Sequence, residues 1–190
     1  MFDPEGCCAV WDGRFQPLHR GHVAVMERIL DRFDAPLVVM VIQSSVVPGG
    51  DAYTREADRH HAAARNPLTL WERCQMLDAV VEAEGWRERV RVLGILRPDL
   101  FWPQIQPFYP PRRFMILTGK DDYERAKAGF WAGLGETCAT LDCAGLPAIS
   151  ASEVKANLRA GTGIESWLHP ATHDYFRRID GIERFRAAAV

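Results

Sequence analysis

Short apolar runs alternate with amphipathic stretches along this chain. "CCAVW" (7–11) reads as a first strand. "GHVAVMERILDRF" (21–33) places Val23, Met26, Leu30 and Phe33 at helical spacing. "APLVVMVIQ" (35–43) is a continuous β-branched run, as expected of a strand covered on both faces. A helix is predicted to open at Thr69, whose T-x-x-E spacing to Glu72 is a capping box. Its apolar stripe runs through Leu70, Cys74, Leu77 and Val81, with Arg73 off the stripe near the helix start. "RVRVLGI" (89–95) and "RFMILTG" (113–119) read as further strands, and "TCATLDC" (137–143) as a weaker fifth. Helices are predicted over 121–131 and near 152–160, 171–179 and 181–188. The proline- and aromatic-rich 97–112 reads as a loop with at most a short helix.

This order predicts the α/β class: a Rossmann-like doubly wound parallel sheet followed by C-terminal helices, in one domain over 1–190. Ligands in such sheets bind beyond the carboxyl ends of the strands, where the strand order switches. The polar stretch 44–65 reads as an inserted, solvated loop, long enough to suggest function.

Composition narrows the partners. The chain has 190 residues, 25% of them charged, with a net charge of −2, so it lacks the broad basic excess of a nucleic-acid binder. No apolar run approaches the ~20 residues of a membrane span. The N-terminus "MFDPEG" has no basic region or apolar run of a signal peptide. The five cysteines are odd in number and lack a C-x-x-C pair, which predicts reduced thiols and a cytoplasmic protein. Cys138 and Cys143 as a bridge or metal pair is the less favoured reading.

The chemistry concentrates in "WDGRFQPLHRGH" (11–22). Gly13 lets the backbone turn and approach a ligand. The turn feeds a helix whose free N–H groups and dipole favour an anion. His19 and His22, three residues apart, can address one ligand. Arg14 adds a fixed charge suited to phosphate. The Walker and dinucleotide glycine patterns are absent. No nearby carboxylate or cysteine completes an evident metal set around the two histidines. Downstream, "AISASEVKANLRAG" (148–161) offers a second anion grip. Ser150 and Glu153 form a capping box, so a helix N-terminus begins there, with Ser152 and Lys155 on its first turn.

"GRFQPLHRGH" resembles the G-R-F-Q-P-x-H-x-G-H motif of the nucleotidylyltransferase superfamily, in the form of archaeal-type nicotinamide mononucleotide adenylyltransferases. The match implies nucleotide contacts at Gly13, Phe15 and Gly21. "ISASEVK" is similar to the I-S-x-T/S-x-x-R motif, which implies triphosphate contacts at Ser150, Ser152 and Lys155. Lys155 departs from the usual arginine, keeping charge but losing the planar fork; Arg159, one turn on, is a possible substitute. "NPLTLWERCQML" implies Arg73 for the mononucleotide phosphate, with Asn66 nearby. "ILTGKDDYERAKAGF" implies Thr118 and Gly119 near the ribose and base. "RPDLFWPQIQPFY" resembles a loop carrying an aromatic platform, which points to Trp102 for stacking nicotinamide. The family bridges the 44–65 interval with a much shorter loop. His60, His61 and Arg65 there could line a modified substrate site, although a solvated loop is the preferred reading.

The implied activity is transfer of AMP from ATP, accompanied by Mg²⁺, to the phosphate of nicotinamide mononucleotide, giving NAD and pyrophosphate. His19, His22, Arg14 and Lys155 would carry it, with no protein-bound metal. The alternatives are a cytidylyltransferase that attaches CMP from CTP to a small phosphate or phosphonate, and a non-catalytic nucleotide-binding module. The resemblance also implies a possible homo-oligomer.

Overall fold

The computed structural model describes residues 6–45, 52–62, 65–119 and 122–188. The strands are β1 (Cys8–Gly13), β2 (Leu37–Ile42), β3 (Val90–Ile95), β4 (Arg113–Leu117) and β5 (Cys138–Thr140). They form one sheet in the order β3-β2-β1-β4-β5, and every pairing is parallel. The order reverses beside β1, so its carboxyl end and that of β4 flank the switch point. The doubly wound prediction holds.

β2 is buried along its whole length, as its unbroken apolar run requires. Side-chain alternation divides the core between the two faces. Ala9, Trp11, Leu37, Val39 and Val41 join one cluster; Cys8, Val10, Val38, Met40 and Ile42 join the other. The first cluster is covered by α1 (Arg20–Arg32), α3 (Leu70–Ala83), α6 (Ala151–Ala160) and the C-terminal helices α8 (Pro170–Arg178) and α9 (Gly181–Ala187). A short α7 (Ile164–Trp167) precedes them. The second is covered by α4 (Pro98–Ile105) and α5 (Asp122–Gly133).

Two expectations change. Within 44–65, the structure forms a helix, α2 (Ala52–His61), rather than a loop. It is anchored by groups far away in sequence. The fully buried Arg97 forms ion pairs with Asp58 of α2 and, at 2.6 Å, with Asp99 of α4. Tyr53 stacks on Phe130 at 4.9 Å. In α3 the buried face runs through Arg73, Met76, Leu77, Val80 and Val81, so Arg73 lies inside the packed surface. The proline-rich 97–112 is a short helix kinked at Phe101, then a single 3₁₀ turn. All five cysteines are free thiols. Among the described residues no helix is long and apolar enough to cross a membrane.

Candidate functional site

A cavity of about 620 Å³ opens at the switch point, between the carboxyl ends of β1 and β4 and the N-termini of α1 and α6. Its first wall is the turn from β1 into α1. Phe15 takes a left-handed backbone (φ 50°), uncommon for a residue with a side chain, and the Gln16–Pro17 bond is cis. Gly13 does not make this turn; it ends β1, paired with Val41. Its lack of a side chain serves packing, since a Cβ there would sit 3.0 Å from the Phe15 ring. Gln16 locks the turn to residue 68: its Nε2 donates to the Leu68 carbonyl (2.6 Å) and its Oε1 accepts from the Leu68 N–H (3.2 Å).

The two histidines lie at the start of α1 with ring centroids 3.7 Å apart, stacked. The His19 N–H donates to Nδ1 of His22 at 3.3 Å. In the neutral ring this places the proton on Nε2. Phe15 is buried against Trp11 and His22, each ring contact at 5.2 Å, and holds the His22 ring from behind. Gly21 permits this packing: a Cβ there would lie 3.1 Å from the His19 ring and 3.2 Å from Ile149.

The second wall is the N-terminus of α6. The Ser150 hydroxyl accepts from the Glu153 N–H (3.1 Å), and Glu153 accepts in return from the Ser150 N–H (3.1 Å). Ser150, Ser152 and Lys155 all line the cavity. Lys155 is buried, and its Nζ donates to the Arg65 carbonyl at 2.5 Å. Burial, reinforced by Arg14, Arg65 and Arg159, pushes its ammonium down to about 7. Arg159 points elsewhere, its Nε donating to the Phe185 carbonyl at 3.4 Å.

Cations predominate on this side. Arg14 donates to the His60 carbonyl, and burial lowers its affinity for its proton. No carboxylate among the described residues forms an ion pair or hydrogen bond with Arg14 or Lys155 (the ion pairs on the cavity lie elsewhere). Asp12 and Lys127 pair at 2.7 Å, with Glu124 3.6 Å from the same ammonium. Burial alone would lower the Lys127 ammonium, but the two carboxylates outweigh it and hold it charged. Glu124 accepts from the Thr118 N–H (3.1 Å) and hydroxyl (2.9 Å), so Thr118 reaches the cavity edge already engaged. This trio was missed in the sequence because Asp12 and Lys127 lie 115 positions apart. A net anion site is left around Arg14, His19, His22, Lys155 and the α6 N-terminus.

Several predicted site residues are placed elsewhere. Trp102 does not line the cavity; it packs edge-on against Tyr109 (5.1 Å) and Trp131 (5.3 Å), on the sheet face that α4 and α5 cover. Arg73 is fully buried and donates to the carbonyls of Arg14 (2.7 Å), Ile42 (2.7 Å) and Thr69 (3.2 Å). It braces the phosphate-side turn from beneath. Burial brings its guanidinium down to about 10. Asn66 caps α2, its Nδ2 donating to the carbonyls of His60 (2.8 Å) and Ala62 (2.7 Å). Both line a smaller cleft of about 330 Å³. Gly119 takes a left-handed φ of 60° after β4 and is not part of the cavity wall. His60, His61 and Arg65, read as part of a solvated loop, line the cavity instead.

A doubly wound sheet with a cationic, helix-capped cleft at its switch point defines a nucleotide-phosphate-binding α/β protein. Residues 10–102 match the cytidylyltransferase-like family model. The chain is 25% identical over 181 residues to a nicotinamide-nucleotide adenylyltransferase of Pyrococcus abyssi, covering 93% of this chain and 86% of the relative. It is 26% identical over 176 residues to a phosphonoformate cytidylyltransferase of Streptomyces viridochromogenes, covering 92% and 93%. A Vibrio parahaemolyticus crystal structure described as a nicotinate-nucleotide adenylyltransferase superposes with a TM-score of 0.53 at 16% identity, over 89% of this chain and 97% of that one. These matches liken the chain to nucleotidyltransferases, adenylyl- and cytidylyl-transferring alike.

Proposed function

We propose that the chain transfers AMP from ATP to the phosphate of nicotinamide mononucleotide, releasing pyrophosphate and forming NAD. One observation carries this reading: the paired histidines and the α6 N-terminus face one cavity together with Arg14 and Lys155. An oxygen of the acceptor phosphate attacks the α-phosphorus in line. A new O–P bond forms, the bond from the α-phosphorus to the bridging oxygen breaks, and its electron pair leaves with pyrophosphate. The nucleophile is already an anion, so positioning and charge neutralisation supply the catalysis. His22, with a proton on Nε2, donates to the α-phosphate together with His19. Arg14, Lys155 and the free N–H groups of α6 hold the leaving phosphates.

Mg²⁺ would arrive with the triphosphate, held by its oxygens, and offset their charge. This fits the cavity, whose nearby carboxylates, Asp12 and Glu124, are taken by Lys127. The free thiols support a cytoplasmic setting.

A specific observation favours a second reading, cytidylyl transfer to a small phosphate or phosphonate. Trp102 offers no platform for nicotinamide, and α2 occupies space beside the cavity. One experiment separates them: ATP and CTP are each offered with nicotinamide mononucleotide or a small phosphonate, and pyrophosphate release is followed. Adenylyl transfer predicts release only with ATP plus the mononucleotide. Release with CTP plus phosphonate selects the second reading, and no release in any arm rejects both.

A further inference from the structure

The histidine-rich end of α2 forms a wall of the same cavity. His61 is 3% exposed, and its Nδ1 is buried with no hydrogen-bond partner. Buried ring nitrogens in folded proteins are normally satisfied, and this one is not. Burial, with Arg97, Arg14 and Arg73 around it, pushes the imidazole down to about 3, so the ring is neutral. It can therefore accept or donate one hydrogen bond without adding charge.

The neighbours specify what would fill the position. Arg14 and Lys155 are satisfied by carbonyls of this same segment, those of His60 and Arg65. Arg65 also lines the cavity, and its side chain donates to the Arg59 carbonyl at 3.3 Å. These bonds seat the segment against the two cations assigned to the triphosphate, so a group held by His61 and Arg65 shares the cavity with the reacting phosphate. The segment is held rigidly enough to select a ligand, because Arg97 clamps α2 to α4 and Tyr53 stacks on Phe130.

We propose that the α2 segment forms the acceptor subsite, in which His61 and Arg65 line a pocket for the phosphate or phosphonate group of the acceptor. The proposal rests on the reading of this chain as a nucleotidyltransferase. It assigns acceptor choice to α2 and leaves the nucleoside triphosphate to α1 and α6.

The test compares wild type with His61→Phe, His61→Asn and Arg65→Gln, using the nucleotide–acceptor pair that supports pyrophosphate release. Expected is a tenfold or greater rise in acceptor KM for His61→Phe and Arg65→Gln, with triphosphate KM within twofold of wild type. His61→Asn, which retains a polar group close to the backbone, recovers part of the loss. An unchanged acceptor KM, or equal rises for both substrates, would overturn the proposal. Arg65→Gln, at an exposed position, carries the test should His61→Phe fail to fold. If wild type releases no pyrophosphate with any acceptor, the nucleotidyltransferase reading fails by itself. Binding then decides the subsite: methylphosphonate is titrated into wild type saturated with a non-hydrolysable triphosphate, and the imidazole ¹⁵N resonances are followed. A saturable shift at His61, absent in Arg65→Gln, supports the subsite; no shift at His61 rejects it.

Discussion

One hydrogen bond sets the tautomer of His22. Because its Nδ1 accepts from the His19 N–H, the neutral ring must carry its proton on Nε2. His22→Ala should lower kcat by roughly 10²–10³, by analogy with removing an oxyanion donor. Triphosphate binding should change little, since Arg14, Lys155 and α6 remain. Steady-state pyrophosphate release checks this, and near-normal turnover would remove His22 from the mechanism. Lys155 makes a different prediction. Its ammonium is pushed down to about 7 from an ordinary 10.5 by burial and by neighbouring cations. At pH 8 much of the free protein therefore carries a neutral Lys155. A bound polyanion raises its affinity for a proton, so nucleotide binding should take up a proton at pH 8 and almost none near pH 5. Calorimetry in buffers of different ionisation enthalpy measures the uptake. Lys155→Met should abolish it, and equal uptake in that variant would place the titrating group elsewhere.

The element that matters most is the turn from β1 into α1. Its glycines leave room for rings: Gly13 for Phe15, Gly21 for His19. Gly21→Ala places a methyl 3.1 Å from the His19 ring and 3.2 Å from Ile149. Overpacking of this kind costs about 1–3 kcal/mol. The expected result is that stability loss in denaturant, with kcat down tenfold or more as the stacked imidazoles are pushed apart. Wild-type kcat would show that the ring contact is unimportant. The gathering of charges at a helix start was legible, since it is written within twelve residues. The left-handed Phe15 and the bracing by Gln16 and Arg73 were not, because they depend on carbonyls of residues 42, 68 and 69. α2 was read as solvent-exposed for the same reason. "TREADRHH" is polar in isolation, and what makes it a wall of the cavity is Arg97, 39 positions beyond Asp58.

Across the whole molecule, the sheet was the most legible feature. Strands such as "LVVMVI" carry their burial in their own composition, whereas the site depends on which distant elements meet. Trp102 illustrates the limit: an aromatic beside prolines suits a stacking platform or a packed core equally, and only the position of Trp131 decides. The C-terminal helices show how remote packing reaches the chemistry. α9 ties α6 to α3 on the same face of the sheet. The Arg186 Nε donates to the Arg159 carbonyl of α6 (3.2 Å), while Arg184 pairs with Glu72 of α3 and donates to the Pro67 carbonyl (2.6 Å). Phe185 anchors α9, fully buried with its ring 5.6 Å from that of Phe176. Phe185→Ala should cost about 3–5 kcal/mol, as large-to-small changes in a packed core do. At this chain length that corresponds to a melting temperature lower by roughly 10 °C. If α9 holds α6 in place, the variant should also show a severalfold higher triphosphate KM, assayed well below its melting temperature. Saturating nucleotide at about 100 Kd should then restore up to about 2.7 kcal/mol of stability. A variant that melts early but keeps its triphosphate KM would show that α9 supports the core without positioning the phosphate helix.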